Sequence, residues 1–162
     1  MSDNPNVSAE SAIAALLSIM ARLRDPDGGC PWDLKQDFDS IVPYTVEEAF
    51  EVAEAVARRD YPELKEELGD LLLQVVFHSQ MAREQGLFDF SEVVAVLNDK
   101  MVRRHPHVFG DRTAEDEQAV KVNWEAIKAE ERARKGREYD SALDGVPEGL
   151  PALQRAHKLQ KK

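Results

Sequence analysis

Cysteine occurs once in the 162 residues, as Cys30, so the chain can form no internal disulfide and offers no thiolate set for zinc. A single thiol fits a reducing compartment. No apolar run approaches the roughly 20 residues that cross a bilayer, and the opening MSDNPNVSAE lacks the basic and then apolar segments of an export signal. A soluble cytoplasmic protein is expected. Positive charge is also in short supply, 21 Lys and Arg against 31 Asp and Glu, a net charge of −10. That balance disfavours non-specific contact with nucleic acid or anionic membranes, so neither is an expected partner. An anionic ligand would need a local device to hold it. Strand-like alternation, Gly-rich strand-to-helix turns, internal repeats and low-complexity stretches are absent as well, which leaves an all-α helical bundle as the expected fold.

The length and 43% hydrophobic content suit one domain with a buried core, taken to span 1–162. Residues 1–7 precede any period and are expected to be disordered. From Ser8 to Arg24, Ile13, Leu16, Leu17, Met20 and Leu23 recur every three or four positions, as one buried helical stripe requires. DPDGG stops that helix. CPWDLKQDFDSIVPY, with two prolines and no clear period, reads as an ordered loop with at most a helical turn. Thr45 followed by Glu48 has the form of a capping box, so the next helix is expected over Val46 to Arg59. Pro62 suits a first helical turn, and a third helix should run from Glu63 to about Gln85. Ser91 is the expected cap of a fourth, reaching about Arg104. Thr113 opens a fifth that continues through NWEAIKAEERARK. Residues 136–162 read as a loop and a short basic helix from Ala152, a possible linker.

Carboxylates crowd two of these helices. EEAFE supplies Glu47, Glu48 and Glu51, and ELGD, sixteen residues after Glu51, supplies Glu67 and Asp70. Like charges one helical turn apart repel by about 0.2–0.5 kcal/mol per pair. On the first helix an arc of Val46, Ala49, Phe50, Ala53, Val56 and Ala57 opposes the acids, which by itself describes an ordinary amphipathic helix whose first-turn acids suit the helix dipole. The second differs. Leu68, Leu72, Leu73, Val75, Val76 and Phe77 cover most of its circumference and leave a narrow stripe of Glu67, Asp70, Leu71, Gln74 and His78. A helix apolar almost all round belongs in the middle of a bundle, where unpaired carboxylates are costly. Two facing helices, each with an i, i+3 pair, would bring Glu48, Glu51, Glu67 and Asp70 to one point. An all-oxygen set favours Mg²⁺, with Mn²⁺ as substitute. Di-iron bundles use Glu-x-x-His, and no His here has Glu three residues before it. His78 reads as a packed core histidine, Cys30 as an inert, half-buried thiol, and Trp32 as a loop anchor, with lining a nucleotide pocket the lesser alternative.

With these motifs the chain resembles the MazG-type nucleoside triphosphate pyrophosphohydrolases of the all-α NTP pyrophosphatase group. The resemblance runs through LLSIMARLRDPDGGCPWD, YTVEEAFEV, ELGDLLLQVVFHSQMA, DKMVRRHPHVFGD, NWEAIKAEE and LPALQRAHKLQKK, nearly the whole chain. It implies that Glu48, Glu51, Glu67 and Asp70 bind Mg²⁺. It further implies hydrolysis of a nucleoside triphosphate to monophosphate and pyrophosphate by a homodimer or homotetramer. Glu47, the motif acid not used as a ligand, is the candidate general base, though the helix dipole explains it equally. Lys100, Arg103 and Arg104 occupy positions that the resemblance links to triphosphate binding; a solvated helix end accounts for them as well. Trp124 and Lys128, one turn apart, suit a base and a phosphate, while Val120 and Ile127 on the same face suit core packing. Long members of the family carry two related halves, and this chain resembles the first, ending where a connection to the second begins. A catalytically silent nucleotide-binding or dimerisation module is therefore the rival reading.

Overall fold

The computed structural model describes residues 8–111, 113, 116–134 and 144–160, and its α-carbons group into two compact units, Met1–Leu97 and Asn98–Lys162. The described residues form α-helices and one 3-10 turn, with no strand. The all-α expectation holds. Residues 1–7, expected to be disordered, and 136–143 of the expected loop lie outside the described residues.

In the first unit, α1 (Ala9–Leu23) starts where Ser8 accepts a hydrogen bond from the Ser11 amide at 3.2 Å. Its stripe turns inward as the period requires, Met20 being fully buried with Leu16 and Leu17 against the same core. α2 (Phe38–Arg58) begins well before the expected Val46. The capping box belongs to Asp37 and Ser40 rather than Thr45 and Glu48: the Asp37 carboxylate accepts from the Ser40 amide at 2.8 Å, and Ser40 Oγ accepts from the Asp37 amide at 2.9 Å. Thr45 sits inside the helix, its hydroxyl donating back to Ile41 O at 3.3 Å. Pro43 lies within α2 and forgoes one backbone hydrogen bond. Burial decides against the proline signal, since Ile41 is 1% exposed and joins Met20, Val76, Phe77 and Met81 in the core, with Phe38 packed beside them.

This earlier start also sets the rotation of α2. Ile41, Thr45, Glu48, Val52 and Ala55 turn inward, while the arc expected to be buried faces out, with Val46 48%, Phe50 46% and Val56 56% exposed. α3 (Tyr61–Glu84) follows after a two-residue turn, capped by Asp60, which accepts from the Glu63 amide at 3.2 Å. Arg59, in the left-handed region at φ 57°, reverses the chain, so α2 and α3 run antiparallel along their length while α1 packs on α3. The second half of α3 is buried as expected, through Gln74, Val76, Phe77, Ser79, Met81 and Ala82. Its first half is exposed on most sides.

The loop between α1 and α2 is held by Arg24. Its guanidinium donates to the Asp33 and Gln36 carbonyls at 2.5 and 3.2 Å, pairs with Glu84 at 2.7 Å and lies 5.4 Å from the centre of the Phe77 ring. Gly29 is required there, because a Cβ would lie 2.4 Å from Leu23 O.

α4 (Phe90–Arg104) is capped by Asp89, not Ser91: the Asp89 carboxylate accepts from the Glu92 amide and the Glu92 carboxylate from the Asp89 amide, both at 3.0 Å. Its last residues belong to the second unit, with the short α5 (Pro106–Phe109), α6 (Glu117–Arg134) and α7 (Ala152–Gln160). Asp116, rather than Thr113, caps α6 by accepting from the Ala119 amide at 2.7 Å. No helix of the described residues is long and apolar enough to cross a membrane.

Candidate metal centre and cationic groove

The turn at Arg59 and Asp60 folds the two acidic segments onto each other. One carboxylate oxygen each from Glu48, Glu67 and Asp70 lie within 4.8 Å of one another, close enough to share an ion. Glu48 and Glu67 are half-buried and Asp70 is exposed, so the site opens to solvent. Burial pushes the Glu48 carboxyl above its usual range, helped by a hydrogen bond shared with Glu51 and by the charges of Glu51, Asp70 and Glu67. Glu67 is raised too, by loss of solvent first and then by Glu51, Glu63 and Asp70. Glu51 thus acts on both neighbours without belonging to the tightest trio. The four acids form an oxygen-only set, and no basic side chain is among the causes that raise Glu48 and Glu67. Such a set suits a hard divalent cation, which would offset both the lost solvent and the neighbouring charges that raise the two carboxyls.

Beyond Glu51 and Glu67 the acidic lining continues into a groove of about 230 Å³, bounded also by Glu54, Ala55, Arg58, Asp60 and Glu63. Arg58 is drawn off to Glu54. Glu47, next to Glu48 on α2, is exposed. Deeper along α3, Gln74 is 6% exposed and its Oε1 has no hydrogen-bond partner among the described residues. His78 fits its reading as a packed histidine: its ring stacks on Phe38 at 5.9 Å, Nε2 lies 3.3 Å from Thr45 Oγ1, and burial lowers its pKa. Trp32 rests edge-on against Tyr44 and Phe77, and Cys30 is a half-buried free thiol.

In the second unit, Arg104, Trp124 and Lys128 line one groove of about 270 Å³ together with Lys121 and Glu125. Trp124 is braced by the edge of His105 at 5.2 Å, and His105 Nδ1 is fixed by the Met101 carbonyl at 2.7 Å. Lys100 is half-buried on α4 and Arg103 turns to a neighbouring groove with Glu130 and Glu131, so neither lines the groove around Trp124. Lys128 pairs with Glu125 at 2.7 Å and Lys121 with Glu117 at 2.6 Å. Lys121 and Glu131 were not anticipated. Lys121 was within reach of the pattern, for it precedes Trp124 by three residues, the spacing of one helical face.

Residues 36–109, which hold both acidic segments and the end of α4, match the MazG nucleotide pyrophosphohydrolase domain. The chain carries a MazG domain. Around it the likeness extends further. A nucleoside triphosphate pyrophosphohydrolase of Escherichia coli is 57% identical over 150 residues, 93% of this chain and 56% of that protein. The nucleoside triphosphate pyrophosphohydrolase/pyrophosphatase MazG of Thermotoga maritima is 46% identical over 145 residues, 90% of this chain and 54% of that protein. The chain thus spans about half the length of the relatives it matches. The crystal structure of a mazG-related protein from Thermotoga maritima superposes with a TM-score of 0.60 at 27% identity, covering 72% of this chain and 98% of the other. The MazG domain therefore has both a sequence and a fold counterpart.

Proposed function

We propose that this chain hydrolyses nucleoside triphosphates to the monophosphate and pyrophosphate in a Mg²⁺-dependent reaction, with Mn²⁺ as a substitute. The observation that carries this reading is the convergence of Glu48, Glu67 and Asp70 within 4.8 Å inside a MazG domain. Glu48, Glu51, Glu67 and Asp70 are the metal ligands. A bound Mg²⁺ would neutralise phosphate charge and acidify an attacking water. Glu47, free of the ligand set, takes the proton as general base. Lys100, Arg103, Arg104 and Lys128 bind the anionic part of the nucleotide, and Trp124 forms the wall beside Lys128. The substrates are non-standard nucleotides removed from the cytoplasmic pool.

The exposed stripe of Val46, Phe50 and Val56 supports self-association as a homodimer or homotetramer, since so much apolar surface on one helix face is unfavourable in water. The rival reading, a silent nucleotide-binding or dimerisation module, draws on the chain spanning about half of its relatives' length. One experiment separates the two. Each common nucleoside triphosphate is incubated with the protein, with and without Mg²⁺, beside Glu67→Gln, and the products are resolved. Monophosphate and pyrophosphate that need both the metal and Glu67 establish the enzyme. No turnover from a folded helical protein leaves the module.

A further inference from the structure

Resting on that reading, we infer that Glu131 is the positioning residue of the phosphate-binding groove: it grips Arg103 and Arg104 together and sets the guanidinium of Arg104 to meet a polyphosphate. Arg104 Nη2 donates to Glu131 Oε2 at 2.6 Å and its Nε lies 3.3 Å from Oε1. Arg103 approaches Oε1 with Nε at 3.0 Å and Nη2 at 2.8 Å. One carboxylate therefore anchors two adjacent arginines.

The anchoring is strong for three reasons. The Glu131 side chain is only 13% exposed, so solvent screens the contacts weakly. Both partners are arginines, whose planar forks match a carboxylate. The two guanidinium groups hold the Glu131 pKa down to about 2, so the acid stays ionised at any working pH.

Geometry then assigns the remaining donors. A guanidinium has five N–H groups, and Glu131 meets Arg104 along its Nε–Nη2 edge. The Nη1 side has no acceptor among the described residues, and Arg104 lines the groove with Lys121, Trp124 and Lys128. An arginine fixed along one edge loses little further rotamer freedom when an anion meets the other. Arg103 has a second tether in Asp99, which leaves it less free for ligand. Asp99, Arg103, Arg104 and Glu131 sum to no net charge, so the device contributes direction more than attraction.

The test uses inorganic tripolyphosphate, which has no base or sugar. Glu131→Gln removes the anchor without changing size, and Arg104→Lys keeps the charge while removing the two-edged fork. Calorimetric titration should show tripolyphosphate bound about tenfold more weakly by either variant, the scale of one charge-assisted hydrogen bond. KM for nucleoside triphosphate should rise in step with kcat kept, Mn²⁺ affinity at the α2–α3 carboxylates should not move, and Glu131→Asp should recover part of the loss. Unchanged affinity in Arg104→Lys and Glu131→Gln overturns the inference, and tighter binding by Glu131→Gln overturns it too, making Glu131 a competitor of the ligand. Should Glu131→Gln fail to fold, as read by circular dichroism, Arg104→Lys decides alone. A wild-type protein that neither hydrolyses triphosphates nor binds tripolyphosphate refutes the proposed function instead.

Discussion

The acidic seam between α2 and α3 and the arginine pair around Glu131 handle charge in opposite ways. In the seam, Glu48, Glu51, Glu67 and Asp70 face one another, and the Glu48 and Glu67 carboxyls are raised first by lost solvent and then by neighbouring acids. Around Glu131 each charge has an opposite neighbour, and the acid is pushed down to about 2. One cluster is complete within the chain. In the other, no basic side chain of the described residues is among the causes that set the Glu48 and Glu67 carboxyls. A raised carboxyl in a crowded set is therefore the more informative sign of a ligand, whereas a strongly lowered one marks a structural contact.

The sharpest way to break the contrast is to take an acid from the seam. Glu67→Gln or Asp70→Asn should lower metal-dependent turnover at least about 100-fold, measured by pyrophosphate release at saturating Mg²⁺. The next effect concerns stability. Ion binding at 100 times its dissociation constant adds about 2.7 kcal/mol to the folded state; wild type should gain this with Mg²⁺ in thermal melts, and Glu48→Gln should gain far less. Without metal the order reverses, because Glu48→Gln removes a repelling charge and should melt above wild type.

Acid titration sharpens the same difference. A carboxyl raised on folding costs stability wherever it is ionised, so the metal-free seam should be stabilised as the pH falls from neutrality through the raised values of Glu48 and Glu67 toward 4.5. Glu131, lowered on folding, stabilises above 4.5 and loses that contribution as the pH falls toward 2. Urea unfolding across this range, comparing wild type with Glu48→Gln and with Glu131→Gln, should give differences of opposite sign and trend. Smallest of all is the exposed Lys128–Glu125 pair, where Glu125→Gln should change stability by no more than about 0.5 kcal/mol.

The sequence made much of this legible. The i, i+3 acids could be read because a helix converts spacing directly into direction, and the stripe of α1 for the same reason. The start of α2 is hidden in the sequence because Pro43 outweighs the quieter signal of Asp37, Phe38, Ser40 and Ile41, whose value depends on a core assembled from α1 and α3. Periodicity alone also leaves the apolar packing of α2 open, since the helix is apolar on two sides and it is Ile41 and Ala55, not the arc of Val46, Phe50 and Val56, that are buried. The Glu131 clamp was out of reach for a different reason: it joins residues 27 and 28 positions apart, a separation that no local rule measures.

Arg59 carries a last consequence, for how the length of this protein can change. Glu51 and Glu67 stand eight residues to either side of it, Glu48 and Asp70 eleven. The hairpin is thus a folded ruler with Arg59 at the crease, and the two motifs meet because their marks are equidistant. A single residue inserted on one arm would advance its mark by about 1.5 Å and turn it by about 100°, pulling the acids apart with every motif residue still in place. Lengthening can keep the register only when both arms grow together by about one helical turn, roughly seven residues in all. Descendants of this sequence should therefore vary the gap between EEAFE and ELGD in steps of that size.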